Sequence, residues 1–495
     1  LKRRGMRGEG LWTRITWDEA YSLLSERIER IRKEGRINEF VMDKDIDEPL
    51  LERFAEALGI PVIDRRVLSR LNYSDAWLAM TGSSSLFEDA GRSRTILNFG
   101  ANPYAGHGKF ISIARRMILA QVEKGAKLFT FDVRLSETAA KSNAWHPIKP
   151  GTDGVVALAM AKVIIAEGLT DKDFIEKRTN IPLSMLREHL SPYAPEFAEK
   201  ESGVKAGDIE RLAVYFAKNK PSLAMAGGGA FEHENGSQNI RCIALLNWLV
   251  GNLEKEGGIF FPRYFRQTGG IEGLWPDSKS STRKIKGIVD LHKEKIPVDT
   301  YFACFSNLAY DEPDCQSTSR LLEDEKVVPF LAVMDTHLTE TAVLADLVLP
   351  AATFLEGWGL KVIPSMDMAP VLSFRQPAVS LLSQAEALRS PTFEQGKLLE
   401  PLFKPRGESK EVGNFFLELA SRLQGEALRS LAFRDTLDYV SHKISSIPEL
   451  MKQGGLQTLR GHGFWTDRLQ EAKPAIPENG QKVMIRSEKQ SGQPP

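Results

Sequence analysis

Apolar residues along this chain fall into short unbroken runs, separated by longer stretches in which they recur every third or fourth position. The unbroken runs Phe40 to Met42, Ile60 to Ile63, Thr95 to Phe99, Lys127 to Phe131, Ser222 to Ala226, Tyr301 to Asn307 and Phe330 to Met334 read as buried strands. The periodic stretches read as helices. One begins at Thr16, where Thr16 and Glu19 make a capping box ahead of Leu23, Leu24, Ile28 and Ile31. Others are Asp47 to Leu58, stopped by Gly59, then Phe110 to Lys124, Val155 to Glu167, the charged stretch Lys177 to Ala217, Ile240 to Leu249 and Glu411 to Leu423. Strand, helix, strand, loop and helix in alternation predict an α/β fold built on doubly wound parallel sheets. Between Phe260 and Asp299 apolar anchors are few, which reads as a surface excursion. The stretch from Ala472 is rich in Pro, Lys and Gln and reads as disordered.

Several strand ends carry residues suited to chemistry. Asp132 and Arg134 follow the strand ending at Phe131, where open α/β sheets place their ligands. Pro150-Gly151-Thr152-Asp153-Gly154 is a tight turn before a helix whose first amides are free donors, with Thr152 or Asp153 as cap. Spacing by itself equally admits a strand, a loop and a capped helix with no ligand. Gly100 and Asn102 form a turn closed by Pro103, and Gly227, Gly228 and Gly229 end another strand, where backbone can approach a phosphate. His107, among glycines, reads as an exposed loop residue and His337 as a structural one.

With 495 residues the chain has room for two or three domains. Apolar content of 42% and charged content of 26% are ordinary for a globular protein. Basic and acidic residues number 65 each, so no net field selects nucleic acid or an anionic membrane. No apolar run approaches the roughly 20 residues of a membrane helix. Cys242, Cys304 and Cys315 lack CxxC spacing and build neither a disulfide framework nor an iron–sulfur cluster within this chain. The start at Leu1 reads as processed or truncated.

The stretch from Asp132 to Asp153, with Trp145-His146-Pro147-Ile148-Lys149-Pro150-Gly151-Thr152-Asp153, resembles the molybdopterin oxidoreductases of the dimethyl sulfoxide reductase family. So do Thr16-Trp17-Asp18-Glu19-Ala20, Gly100-Ala101-Asn102-Pro103, Thr339-Glu340-Thr341-Ala342 with Ala345 to Pro350, and Arg375-Gln376-Pro377. The resemblance runs from Leu1 to about Pro377. It implies two Rossmann-like lobes with a cleft between them: residues 1–66 and 220–380 form a discontinuous lobe, 67–219 an inserted one, and 381–495 a helical extension. It implies a bis-pterin cofactor, molybdopterin guanine dinucleotide with molybdenum or tungsten. By family position Gly100, Asn102, Asp132, Arg134, Gly151, Thr152, Asp153, Gly227, Gly228, Thr339, Glu340 and Thr341 would bind it, with Gly227–Gly229 and Thr339–Thr341 lining the cleft from the discontinuous lobe. The implied setting is an electron-transfer complex of anaerobic respiration, on the periplasmic side of a prokaryotic membrane or, alternatively, in the cytoplasm. Iron–sulfur, membrane-anchor and haem subunits would be its partners. Two departures stand out. Phe305-Ser306-Asn307-Leu308 lacks the Gly and Pro of the family turn at that place. The loop Val67 to Gly82, which carries the family's metal ligand, has no Cys; Ser69, Ser74 and Asp75 are the ligand candidates, or else only loop caps. A metal-free scaffold, with Leu71, Tyr73 or Trp77 filling the metal's place, is therefore the alternative to an active oxidoreductase.

Overall fold

The computed structural model describes residues 1–65, 71–106, 110–262, 287–363, 370–378, 407–466 and 482–485. They divide into two compact units. The first joins Leu1–Ser69, Arg266–Ile363 and Val371–Asp467; the second joins Arg70–Phe265, Pro364–Pro370 and Arg468–Pro495.

In the first unit seven strands lie in the order Trp12–Thr13, Lys2–Arg3, Leu347–Pro350, Phe330–Asp335, Thr300–Cys304, Phe40–Lys44, Val62–Asp64. The five from Leu347–Pro350 onward pair in parallel, and the two short amino-terminal strands add antiparallel. The predicted capping box opens helix Trp17–Lys33, and Gly59, at φ 74°, closes helix Pro49–Leu58. Helix Val412–Ser421 packs on both: Phe416 meets Phe54 of the second at 5.2 Å, and Phe415 stacks on Tyr21 of the first at 5.3 Å.

In the second unit four parallel strands lie in the order Ala144–Pro147, Lys127–Asp132, Thr95–Phe99, Ser222–Ala226. Helices Asp153–Ala166, Ala206–Lys218 and Gly236–Leu249 cover the sheet with a buried apolar layer that includes Val156, Met160, Leu212, Phe216 and Leu246. Edge strand Ser222–Ala226 would leave open backbone groups. Asn247 fills part of that ladder: its Oδ1 accepts from Ala224 N (2.9 Å) and its Nδ2 donates to Ala224 O (2.8 Å).

Three expectations change. The boundary expected after Asn219 does not hold, because Ser222–Ala226 pairs with Thr95–Phe99; the glycines 227–229 thus belong to the second unit and Thr339 to Thr341 to the first. Within the stretch expected as a loop from Val67 to Gly82, Leu71–Thr81 is a helix, and Ala76, Trp77 and Met80 join the core of the second unit at helical spacing. The stretch expected as disordered contains a packed segment. Val483, 1% exposed, exchanges backbone hydrogen bonds with Arg178 and Asn180, and Met484 N donates to Met80 O.

The two sheets repeat one local design. In the second unit Phe99 pairs with Phe131, Asp132 with Pro147 and Phe99 with Ala226; in the first, Cys304 pairs with Met334, Asp335 with Pro350 and Cys304 with Lys44. After the central strand comes a left-handed residue, Gly100 (φ 63°) or Phe305 (φ 54°), whose N donates to Phe131 O or Met334 O. Two residues on, an Asn accepts at Oδ1 from a threonine's N and Oγ1, at 3.1 and 2.9 Å for Asn102 with Thr138 and 3.1 and 3.0 Å for Asn307 with Thr341. Its Nδ2 donates to the preceding glutamate, Glu137 at 2.7 Å or Glu340 at 2.6 Å. Ser136 and Thr339 cap the turns that hold these pairs.

Candidate functional site

At the carboxyl ends of the second unit's strands lies a cavity of about 270 Å³, lined by Gly100, Asp132, Pro150, Asp153, Gly228, Gly229, His233 and neighbouring residues. A wider groove of about 600 Å³ shares Pro150 and His233 with it and adds Gly151, Glu234 and Asn235. One wall is bare backbone. A Cβ on Gly100 would stand 2.7 Å from Ala230 N and 2.8 Å from Gly229 Cα, and one on Gly227 would stand 2.2 Å from Ala101 Cα. Two strand ends therefore touch through glycine alone, with Gly229 N donating to Gly100 O at 3.0 Å.

Two carboxylates face this wall. Asp132, 9% exposed, accepts from Ser136 Oγ at 2.7 Å, which holds it at the strand end. Asp153, 2% exposed, opens helix Asp153–Ala166. Burial pushes its carboxyl up to about 6, with the Asp132 charge adding to the rise and His233 and its own backbone amide opposing it. His233 stands beside the glycines of this wall, with Nε2 at 3.0 Å from Gly229 O. Such a pocket offers carboxylate acceptors for hydroxyl or ring N–H donors beside close-approach backbone, a combination that suits a nucleoside with a phosphate attached.

The sequence-predicted residues fall unevenly around this cavity. Gly100, Asp132, Asp153 and Gly228 line it and Gly151 lines the adjoining groove, whereas Arg134 is exposed, its guanidinium 4.0 Å from Glu137. Gly227 is buried behind the wall, and Thr152 turns its hydroxyl to Lys149 O at 2.7 Å. Asn102 has both ends of its amide committed within the protein, as given above. In the first unit Thr341 is fully buried against Asn307, Thr339 caps its turn, and Glu340 is exposed with its carboxyl held low by the Asn307 amide. His337 is exposed and pairs with Thr336 Oγ1 at 2.8 Å. Ser69 and His107 lie outside the described residues. Ser74 is half-buried and Asp75 exposed on helix Leu71–Thr81; Trp77 packs edge-on to Trp248 at 6.1 Å.

Sequence reasoning missed the asparagines that lock the site. Asn239, 2% exposed, accepts from Gly154 N at 3.1 Å and donates to Ala230 O at 2.9 Å, tying the Pro-Gly-Thr-Asp turn to the glycine loop. Asn235 Nδ2 donates to Gly151 O at 2.9 Å, and Asn98, buried mid-strand, donates to Ala101 O at 2.8 Å to set the Gly100 turn. A polar side chain inside an otherwise apolar strand or helix was the available signal.

This fold is the α/β arrangement of the molybdopterin oxidoreductases. The chain belongs to the molybdopterin oxidoreductase family, whose profile matches residues 1–369. Curated relatives include the probable oxidoreductase YoaE of Bacillus subtilis (strain 168), 28% identical over 72% of this chain and 54% of that protein. Dimethyl sulfoxide reductase DmsA of Escherichia coli (strain K12) is 25% identical over 86% of this chain and 56% of its own length. The thiosulfate reductase molybdopterin-containing subunit PhsA of Salmonella typhimurium is 26% identical over 84% and 57%. The chain thus spans a little over half the length of these relatives. Among solved structures, acetylene hydratase from Pelobacter acetylenicus superposes with a TM-score of 0.77 at 21% identity, over 98% of this chain and 69% of that one, a likeness of fold. Among the described residues no helix is long and apolar enough to cross a membrane.

Proposed function

We propose that this chain binds molybdopterin guanine dinucleotide and serves as the pterin-containing subunit of a respiratory, electron-transferring complex. The observation that carries the reading is the glycine-walled cavity of the second unit with Asp132 and Asp153 buried in it. The guanosine end of the dinucleotide fits there. Asp153 and Asp132 would accept from base N–H and ribose hydroxyl groups, and the backbone around Gly100, Gly228 and Gly229 would run beside the phosphates. Asn239 and Asn235 hold the two walls at fixed separation, so the pocket is formed before the ligand arrives. When bound, the cofactor would supply two-electron chemistry through molybdenum or tungsten coordinated by its dithiolene sulfurs. Iron–sulfur, membrane-anchor and haem partners, and a place on the periplasmic side of the membrane, follow from the same reading. They rest on relatives whose names describe a dimethyl sulfoxide reductase and a molybdopterin-containing thiosulfate reductase subunit.

One observation favours a second reading, a subunit that keeps the nucleotide site without the metal. Asp75 points to solvent, Ser74 is half-buried, and Tyr73 and Trp77 on the same helix pack into the core. Metal analysis with nucleotide analysis of the complex purified from its source separates the two. Guanosine monophosphate released together with molybdenum or tungsten supports the enzyme; nucleotide without metal supports the scaffold. Absence of guanine nucleotide refutes the site assignment.

A further inference from the structure

The duplicated design of the two sheets lets the second dinucleotide of the family pattern be tested inside this chain. Among the described residues the scaffold is present twice, but the cavity walls are not. The left-handed turn that is Gly100 in the second unit is Phe305 in the first, so a side chain stands where the second unit has bare backbone. The wall formed by Gly228, Gly229 and His233 comes from a nine-residue connection, 227–235, between strand Ser222–Ala226 and helix Gly236–Leu249. Its counterpart between Phe40–Lys44 and Pro49–Leu58 is four residues, 45–48, too short to carry a second wall. Six residues past the paired proline, Asp153 opens a 14-residue helix with its carboxyl in the cavity. The residue so placed in the first unit, Glu356, ends a three-residue 3-10 turn, and its carboxylate accepts from Thr353 N (2.9 Å) and Oγ1 (3.0 Å).

We infer that this chain holds a single guanine dinucleotide, in the second unit, and that the strand-end turn of the first unit has become a structural element that binds none. The inference rests on the proposed function. What the first unit retains, the pairing of Asn307 with Glu340 and Thr341, is the part that holds the turn together; what it lacks, among the described residues, are the surfaces that would touch a nucleotide.

The test counts guanosine monophosphate released per chain by acid and phosphodiesterase from the purified protein. One per chain is expected. Two per chain overturns the inference and leaves the proposed function standing, while none overturns both. Because two half-filled sites also total one, variants complete the test. Phe305→Asp and Asn307→Ala should leave the count unchanged, and His233→Ala and Asp153→Ala should each lower it at least tenfold. A count halved by either first-unit variant in soluble, folded protein refutes the single-site assignment.

Discussion

Replacing Gly100 by Ala separates two costs that the glycine wall combines. At φ 63° any residue with a Cβ is strained by roughly 1–2 kcal/mol. The new Cβ would also stand 2.7–2.8 Å from backbone atoms of Gly229 and Ala230, which cannot swing aside as a flexible side chain would. Forcing strand ends apart in a packed region costs about a further 1–3 kcal/mol. Gly151 supplies the control: its φ is 77°, but the nearest atom to its Cβ position is Asn235 Oδ1 at 3.6 Å. Gly151→Ala should therefore lose only the strain, roughly 1–2 kcal/mol, and Gly100→Ala roughly 2–5 kcal/mol, out of the 5–15 kcal/mol typical of a domain. Urea denaturation followed by the fluorescence of Trp77 and Trp248, both buried in the second unit, reads each value. Equal losses in the two variants would mean that the strand ends do not touch as described, and the close-approach argument for the cavity would fall with them.

Three further outcomes follow from the geometry. Asn102→Ala and Asn307→Ala should cost similar amounts, about 2–3 kcal/mol each, since each removes three hydrogen bonds and takes the acceptor from a fully buried threonine's O–H and N–H donors; thermal unfolding of both variants checks the equivalence. In the first unit burial raises Glu48 to about 7 and, with the Glu48 charge adding, Glu411 to about 8. The folded form then keeps protons that the unfolded chain releases near 4.5, so stability should fall as pH rises from about 4.5 to 8, by up to about 1.4 kcal/mol per pH unit for each retained proton; Glu411→Gln should flatten that slope in denaturation curves taken across the window. Val483→Asp places an unpaired carboxylate in a site 1% exposed, and hydrogen exchange should then quicken in helix Leu71–Thr81, whose Met80 carbonyl loses its Met484 donor; unchanged exchange there would show the segment to be incidental.

Much of the local structure was legible because its causes are local. The Thr16 capping box, the Gly59 stop and the apolar strand runs each depend on a few neighbouring residues. Sheet membership was not. Ser222–Ala226 lies far along the chain from Thr95–Phe99, and nothing in either run specifies the other as its parallel neighbour. Helix Leu71–Thr81 carried its signal in the spacing of Ala76, Trp77 and Met80, but an expected ligand loop was read over it. The same holds for the repeat: Ser136-Glu137-Thr138-Ala139 and Thr339-Glu340-Thr341-Ala342 are nearly identical, each starting four residues after a strand-end Asp. Their shared role appears only when Asn102 and Asn307 are seen in the same place beside them. For the site, the Asp132 and Asp153 positions were legible from motif and turn chemistry, while the asparagines that join the walls showed at most as polar positions among apolar ones, and the distant segments they bridge were not marked.

The segment around Val483 also sets the order in which the protein can be built. Its backbone pairs with residues 178 and 180, some three hundred positions earlier, just as the N of Leu1 donates to Val348 O in the first unit. Contacts this remote in sequence slow folding, and a chain emerging from the ribosome at about 5–20 residues per second cannot make them until their later partner exists. The second unit's four-stranded sheet is complete once residue 226 has been made, but Met80, Arg178 and Asn180 wait for residues beyond 480. During that interval, tens of seconds at those rates, the groove that Val483 fills is open. It is then that the nascent protein is most exposed to wrong partners.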